Sequence, residues 1–295
     1  MRINTMFITF GTVLCFFVAS AQQQATTQRQ APPPMTVEKI KGNIYQVKGG
    51  SGANTGFVVA DKEVVVIDAK MTEEAAKQMI AEIKKITPNP ITKIILTHSD
   101  GDHVNGLVGF PIGIDIISHV NTRDDMMKAF TSDTQRAHLP TMTFTEKLSI
   151  PLAGGTKSAR VDVLYFGPAH TNGDAVVVFP ADKVAFIGDL LFLGRDPLIH
   201  RAKNGTSFGL VKVLKALLAL DVETYASGHN ELTTKKDIQD CMQGIVDKQT
   251  KIQTMVNEGK SLDDVKKAFN IEIPAGGSRW PSLVEVIYLD ITEKK

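Results

Sequence analysis

Short β-branched runs, separated by glycine and aspartate, fill the chain after about residue 36. The first three are NIYQVKG, NTGFVVA and EVVVIDA, at 43–49, 54–60 and 63–69. Runs of this length and composition predict a meander of antiparallel strands. A helix is predicted next, because Thr72 has the position of an N-cap, apolar residues follow at helical spacing, and Pro88 ends the pattern.

The same order recurs in the second half. KIILT at 93–97 has the pattern of a buried strand, and further strands are predicted at 159–167, 174–180, 183–189 and 224–228, with a helix from about Phe208 to Leu220. Strands followed by a helix and a strand, twice over, predict two β-sheets that face each other with helices outside.

The C-terminal part is predicted to be mostly helical. Ile238, Ile245 and Ile252 stand one heptad apart, a stripe typical of core packing. Ser261 and Asp264 have the spacing of a capping box and predict a short helix, and the apolar segment at 283–291 predicts a final strand. We expect the helices of 233–269 to cover the edge of the sheets, where they could shape a pocket mouth or contact a second copy of the chain.

The first residues are typical of a secretory signal peptide. Arg2 is followed by an apolar run at 6–18 and by ASA at 19–21, which predicts cleavage after Ala21 and an exported, periplasmic or secreted, protein. Residues 22–36, rich in Gln, Thr and Pro, predict a disordered linker, and 37–295 a single domain. The mature chain would keep only Cys241, which excludes an internal disulfide and a cysteine zinc cluster.

Composition narrows the choice of partners. The 295 residues are 43% hydrophobic, and 33 basic residues against 32 acidic ones leave a net charge of +1. This is a globular balance without an overall field that would attract nucleic acid or an anionic membrane. We therefore expect a small-molecule substrate that is recognised locally, with no nucleic acid and, after signal cleavage, no membrane as partner.

The segment HSDGDH is the densest group of chemically active side chains. His98, Asp100, Asp102 and His103 lie within six residues. On one helix they would point in scattered directions, and on one strand the last would face away from the others. We therefore predict an irregular loop after KIILT, with Gly101 free to take a positive φ. Imidazole and carboxylate at this density are the ligands of zinc, iron or manganese.

Further ligand candidates follow other predicted strands. They are His170, Asp189 and His229, each at a strand's carboxyl end, the edge where open sheets carry their sites. Asp68 belongs to the same edge and is interpreted as a carboxylate that holds a loop. His119 and His138 are interpreted as ordinary surface or loop residues, and His200 as a candidate substrate contact.

Five motifs in order resemble those of the metallo-β-lactamase superfamily. They are VVVID, HSDGDH, GPAHTNGD, IGDLLF and SGHNE, the last of which contains His229. The resemblance implies a four-layer αββα sandwich of the α+β class with a dinuclear metal site between the sheets. It implies that the first metal is held by His98, Asp100 and His170. The second would be held by Asp102, His103 and His229, with Asp189 bridging both ions.

Asp100 departs from the family pattern, which has histidine there. A carboxylate can still bind zinc, but it makes the site less positive, so we expect a weaker Lewis acid or a higher pH optimum. Two zinc ions are the first expectation. Two histidines and one carboxylate also suit Fe²⁺ or Mn²⁺, and a short Asp100 that failed to reach would leave a single metal.

The resemblance implies an exported metal-dependent hydrolase in which a metal-bound hydroxide attacks an ester, thioester, lactone or amide. Asp102 is expected to orient this nucleophile and carry its proton. Asp189 argues against a dedicated β-lactamase, because the resemblance implies Cys or Ser there in antibiotic-hydrolysing members. Hydrolysis of β-lactam antibiotics and mono-iron oxidation of sulfur compounds remain the alternatives, and a binding protein without catalysis is a third.

Overall fold

The computed structural model describes residues 32–154, 159–271 and 280–293. The predicted signal peptide and most of the predicted linker lie outside the described residues. Residues Pro32–Lys295 form one compact unit. Within the described part of this unit, no helix is long and apolar enough to cross a membrane.

Twelve strands are present in the described residues. They are β1 (Thr36–Lys41), β2 (Ile44–Lys48), β3 (Thr55–Val59), β4 (Val64–Ile67), β5 (Ile91–Ile95), β6 (Asp115–His119), β7 (Met142–Phe144), β8 (Lys147–Pro151), β9 (Arg160–Tyr165), β10 (Ala175–Phe179), β11 (Val184–Phe186) and β12 (Thr224–Ala226).

Eight α-helices accompany them in the same residues. They are α1 (Glu73–Ile86), α2 (Gly101–Val104), α3 (Val120–Ala129), α4 (Asp133–Arg136), α5 (Ser207–Ala219), α6 (Lys235–Asn257), α7 (Leu262–Ala268) and α8 (Leu283–Thr292).

The strands form two mixed sheets. The first has the order β1-β2-β3-β4-β5-β6-β7, antiparallel from β1 to β4 and parallel from β4 to β7. The second has the order β12-β11-β10-β9-β8, in which only β11 and β12 are parallel. The predicted antiparallel meander is therefore confirmed as β2 to β4.

Strand β5 shows why the sheets pack as two inner layers. Its two buried isoleucines belong to opposite faces, since Ile95 packs between the sheets and Ile94 packs with the α1 side. A strand that is covered on both faces gives a continuous apolar run, which is the KIILT pattern. Together with α5, α6 and α8 outside the second sheet, this gives the predicted four-layer αββα sandwich.

The two sheets approach closely at Gly56 of β3. A Cβ built on Gly56 would overlap the ring of Phe186 on β11. The ring thus occupies the space that a side chain on β3 would need. The distance between the layers depends on this position being glycine.

Helix α1 forms where the sequence predicts it. Thr72 is the N-cap and its hydroxyl accepts a hydrogen bond from the Ala75 amide, while Glu73 and Glu74 lie in the first turn. The stripe of α6 is also confirmed, because Ile238, Ile245 and Ile252 are buried in the core.

The predicted final strand is wrong, because residues 283–292 form helix α8. Ser282 caps it, accepting from the amide of Glu285 while the Glu285 side chain binds back to Ser282. Leu283, Val284, Val286 and Ile287 are buried in the core cluster that α8 shares with α5, α6 and the second sheet. The serine-to-glutamate capping spacing was the available signal, and the β-branched composition obscured it.

Candidate metal centre

The ligand-type residues meet at one edge shared by both sheets. Asp68 and His98 follow the parallel strands β4 and β5, and Asp189 and His229 follow the parallel strands β11 and β12. His170 lies in the loop between β9 and β10. Because the carboxyl ends of parallel strands lie at the same edge, residues far apart in sequence come together there.

The HSDGDH segment is part loop and part helix, which corrects the prediction of an irregular loop throughout. His98 and Asp100 precede α2, whereas Asp102 and His103 lie in its single turn, where the Asp100 carbonyl accepts from the amide of His103 over 2.9 Å. Gly101 does not take a positive φ. It is helical, and a Cβ there would meet the Asn105 side chain at 2.5 Å.

A first group consists of His98, Asp100 and His170, whose ligand atoms lie within 4.8 Å of one another. Nε2 of His170 lies 3.0 Å from Asp100 Oδ2, and Nε2 of His98 lies 3.9 Å from the same oxygen. The short aspartate therefore reaches both histidines.

A second group consists of Asp102, His103 and His229. Nε2 of His229 lies 3.2 Å from Asp102 Oδ2, and Nε2 of His103 lies 3.9 Å from that oxygen. His229 is the more open member, and its ring stacks on buried Phe192 with ring centroids 5.5 Å apart.

Asp189 lies between the two groups. Its Oδ1 is 3.1 Å from His103 Nε2, and its Oδ2 is 3.1 Å from His229 Nε2 and 4.0 Å from His170 Nε2. Asp189 thus faces histidines of both groups, the arrangement expected of a bridging carboxylate.

Buried atoms without hydrogen-bond partners show that the site suits a cation. Nε2 of His98, Nε2 of His103 and Oδ1 of Asp189 are buried and make no well-formed hydrogen bond, although the last two atoms lie 3.1 Å apart as an ion-pair contact. Orphaned buried polar atoms are rare and costly, and three that converge are best explained by an ion. His98, His103 and Asp189 also form a group of ligand atoms within 4.8 Å. The residues present therefore fit a divalent metal.

A hydrogen-bond partner at Nδ1 fixes the orientation of three of the histidine rings. His103 Nδ1 lies 2.8 Å from Asp68 Oδ2, His170 Nδ1 lies 2.9 Å from the Leu198 carbonyl, and His98 Nδ1 lies 3.0 Å from the Thr97 hydroxyl oxygen. With the proton on Nδ1, each Nε2 presents a lone pair to the centre. Asp68 also accepts from the amide and hydroxyl of Thr97, as expected of a carboxylate that holds a loop.

The electrostatics are those of a cation site. Burial lowers the pKa of His98 well below its ordinary value, and the charge of His103 adds to this effect. Burial would also lower the pKa of His103, but Asp189 and Asp68 outweigh it and raise that pKa well above its ordinary value. Burial would raise the pKa of Asp189, but His103 and His229 hold it well below its ordinary value. Asp189 therefore stays ionised and attracts positive charge.

Glycines let the segments that follow β11 and β12 approach the centre. Gly188, at φ +50°, precedes Asp189, and a Cβ there would meet the Thr97 hydroxyl at 2.7 Å. A Cβ on Gly228, which precedes His229, would overlap Asp189 Oδ1 and lie 2.7 Å from His103 Cε1. Neither position can carry a side chain without displacing a residue of the centre.

A cavity of about 470 Å³ opens onto the centre. Its lining combines several of the ligand candidates with apolar side chains. These residues are Met71, Asp100, Gly101, Asp102, Asn105, His170, Asp189, Arg195, Leu198, His200, Lys203, His229 and Trp280. The volume lies in the range of small-molecule pockets.

The sequence did not single out Lys203, whereas His119 and His138 lie outside the ligand groups, as interpreted. Lys203 Nζ lies 2.6 Å from Asp100 Oδ1, and His200 Nδ1 lies 3.1 Å from the same oxygen, so His200 does reach the cleft. Nothing in the spacing of Lys203 marks it. His119 and His138 are buried rather than on the surface, and their Nε2 atoms lie 3.0 Å from the carbonyls of Thr145 and Phe110.

Residues 49–229 match the family model described as the metallo-beta-lactamase superfamily. The match extends over more than half of the chain. The chain belongs to the metallo-β-lactamase superfamily. Among solved structures of this superfamily, the metallo-beta-lactamase from Pontibacter korlensis superimposes with a TM-score of 0.61 at 17% identity, covering 71% of this chain and 99% of that one. DIM-1 metallo-beta-lactamase gives a TM-score of 0.60 at 16% identity, covering 72% and 97%. These likenesses show the superfamily fold.

Two curated members resemble the chain in sequence. The 2,4-dinitroanisole O-demethylase subunit alpha of Nocardioides sp. (strain JS1661) is 27% identical over 201 residues, covering 67% of this chain and 58% of that protein. Metallo-beta-lactamase type 2 of Elizabethkingia meningoseptica is 31% identical over 173 residues, covering 56% and 66%. The chain thus spans less than two thirds of the length of either relative.

Proposed function

We propose that this superfamily member is a metal-dependent hydrolase, with two zinc ions, that acts on an ester, thioester, lactone or amide bond of a small molecule. The observation that carries the proposal is the convergence of His98, His103 and Asp189 through buried atoms that lack a well-formed hydrogen bond, beside an open cavity. Imidazole and carboxylate are ligand types that zinc prefers.

The metal position follows from the two groups. His98, Asp100 and His170 would hold one ion, and Asp102, His103 and His229 the other. Asp189, which faces histidines of both groups, would hold both ions. Bound divalent ions supply Lewis acidity, which polarises a carbonyl and lowers the pKa of water.

Asp102 is the residue that we assign to proton transfer. Its side chain is 29% exposed and lines the cavity, while Oδ2 is held by His229 over 3.2 Å. Burial would raise the pKa of Asp102, but the hydrogen bond with His229 and the charge of His103 hold it below its ordinary value. An ionised carboxylate fixed in this way can orient a water molecule and accept its proton.

Two experiments test the proposal in sequence. Zinc, iron and manganese are counted per chain by elemental analysis of the purified protein, and the protein is then assayed with chromogenic thioesters, lactones and esters, with Asp102→Asn as the inactive reference. Two zinc ions and turnover that Asp102→Asn abolishes would support it. Two zinc ions without turnover of any ester-type substrate would contradict the hydrolase.

Hydrolysis of β-lactams is a second candidate, supported by the 31% identity with the Elizabethkingia protein that is named a metallo-beta-lactamase. A chromogenic cephalosporin included in the same assay distinguishes it.

A third candidate is oxidation of a sulfur compound at a single iron, because His98, Asp100 and His170 form a set of two histidines and one carboxylate. One iron per chain, with oxygen uptake on a persulfide, would favour it.

Export is also part of the proposal. It rests on Arg2, the apolar run at 6–18 and the ASA sequence at 19–21. The N-terminal residue of the protein recovered from a periplasmic or culture fraction tests it, and Gln22 is the residue expected after cleavage.

A further inference from the structure

The two oxygens of Asp100 face different partners. Oδ2 faces the metal centre, 3.0 Å from His170 Nε2 and 3.9 Å from His98 Nε2. Oδ1 points away from it, 2.6 Å from Lys203 Nζ and 3.1 Å from His200 Nδ1. The Asp100 carboxylate thus faces the metal centre with Oδ2 and the Lys203 ammonium group with Oδ1.

Backbone contacts fix the position of Lys203. Its ammonium also donates to the Ser99 carbonyl over 3.0 Å, so it spans two adjacent residues of the HSDGDH segment. The turn that carries it is tied to the His170 loop, because the amide of His200 donates to the His170 carbonyl over 2.7 Å and the amide of Thr206 donates to the Ala169 carbonyl over 2.9 Å. The lysine side chain is 19% exposed and that of Asp100 is 14% exposed, so water screens the pair only in part.

Charge explains why a lysine lies here. An aspartate in the place of a neutral imidazole adds one negative charge to the centre, and the ammonium adds one positive charge next to it. A charge-assisted hydrogen bond also selects one carboxylate orientation. The pair therefore has the net charge of the imidazole and leaves a single oxygen for the metal, as an imidazole leaves a single nitrogen.

We propose that Lys203 is a positioning residue and that Asp100 and Lys203 act together in the place of a histidine ligand. The ammonium holds Oδ1 and cancels the charge, so that Oδ2 alone faces the ion. This inference rests on the proposed metal centre and names a residue outside its ligand set.

A cycle of variants tests the pair by zinc affinity, which does not depend on turnover. Zinc binding to metal-free protein is measured by competition with a chromogenic chelator for the wild type, Asp100→His, Lys203→Met and the double variant. Lys203→Met is expected to weaken the first zinc about tenfold when Asp100 is present, as loss of an outer partner does. Asp100→His is expected to weaken it as well, because the ammonium then faces an uncompensated cation.

The double variant decides between a coupled pair and a bystander. In the Asp100→His background, Lys203→Met is expected to raise zinc affinity by about tenfold, close to the wild-type value. An effect of Lys203→Met with the same sign in both backgrounds would overturn the proposal. So would a protein that binds no zinc in any of the four forms, provided that each is folded by circular dichroism.

Two controls separate charge from structure. Lys203→Arg keeps the charge and is expected to keep most of the zinc affinity. Lys215→Met removes an exposed lysine of α5 and is expected to leave zinc affinity unchanged in both backgrounds. A wild type that binds two zinc ions but hydrolyses nothing would refute the proposed function and leave this cycle intact.

Discussion

Nδ1 of His103 and Oδ2 of Asp68 lie 2.8 Å apart, with both side chains buried. The carboxylate fixes the ring so that Nε2 faces Asp189. A histidine ligand that loses such a partner binds metal about 10- to 100-fold more weakly. We therefore expect Asp68→Asn to lower the affinity for the second metal by this factor. The affinity for the first metal should fall less, because Asp68 reaches His98 only through the Thr97 hydroxyl. Isothermal titration with zinc measures both, and Asp221→Asn at an exposed aspartate is the matched control. Equal loss at both positions would show that Asp68 supports the whole edge rather than His103.

Asp189 contacts histidines of both groups, so its removal should affect both metals. We expect Asp189→Ala to lose at least about tenfold in affinity at each position, with activity falling steeply. Elemental analysis after dialysis against a weak chelator measures the retained metal per chain. Full retention of both ions would contradict the bridging position.

Gly228 offers a test that removes no ligand. A methyl group there would meet Asp189 Oδ1 and His103 Cε1, so Gly228→Ala is expected to displace them and reduce metal content. Gly244→Ala is the matched control, because nothing lies near that position within α6. Alanine in a helix interior should stabilise the protein by about 0.5–1 kcal/mol. Normal metal content in Gly228→Ala would mean that the centre tolerates a shift of its carboxylate.

Lys70 is a fully buried lysine without a carboxylate partner among the described contacts. Its Nζ donates to the carbonyls of Val47, Gly49 and Ala53 at 3.2, 2.9 and 2.9 Å, and it thereby holds the loop whose Ala53 amide binds the Asp102 carbonyl. Lys70→Met would remove three hydrogen bonds to backbone carbonyls. We expect a loss of roughly 2–5 kcal/mol in the free energy of unfolding, measured by urea denaturation.

The pH dependence of this loss has a definite sign. Burial lowers the pKa of Lys70 from 10.5 to about 8, so between these values the unfolded chain binds the proton that the folded chain has lost. The contribution of Lys70 to stability therefore rises with pH through this window, by up to about 3 kcal/mol. The difference in unfolding free energy between wild type and Lys70→Met should widen from pH 8 to pH 10. A difference that narrows would show that the three carbonyls hold the proton more strongly than burial expels it.

Prediction from sequence succeeded where one local rule decided the structure. The N-cap at Thr72, the heptad stripe of α6 and the two-sided burial of β5 each follow from residue spacing. The final strand was wrong because the branched residues of 283–291 favour a strand while the cap at Ser282 and packing on the outer helices favour α8. Tertiary contact overrode composition there.

The ligand candidates could be named because each follows a strand, and strand ends share an edge. Lys203 could not, because its approach to Asp100 depends on a turn that is anchored to the His170 loop by backbone hydrogen bonds. Gly101 was given the wrong role, because it begins helix α2 without a positive φ, and a Cβ there would meet the Asn105 side chain. The contact of Lys203 with Asp100 has no fixed spacing in sequence.

The two sheets approach closely at Gly56, and the candidate metal centre lies at the edge that they share. His98 and His103 belong to the first sheet's edge, whereas Asp189 and His229 belong to the second, and any ion held between them would join the layers like a removable cross-link. Ligands that bind only the folded state stabilise it in proportion to the logarithm of their concentration. The concentration of available metal would then set the free energy of unfolding of the protein, as well as the fraction of molecules with a complete metal site.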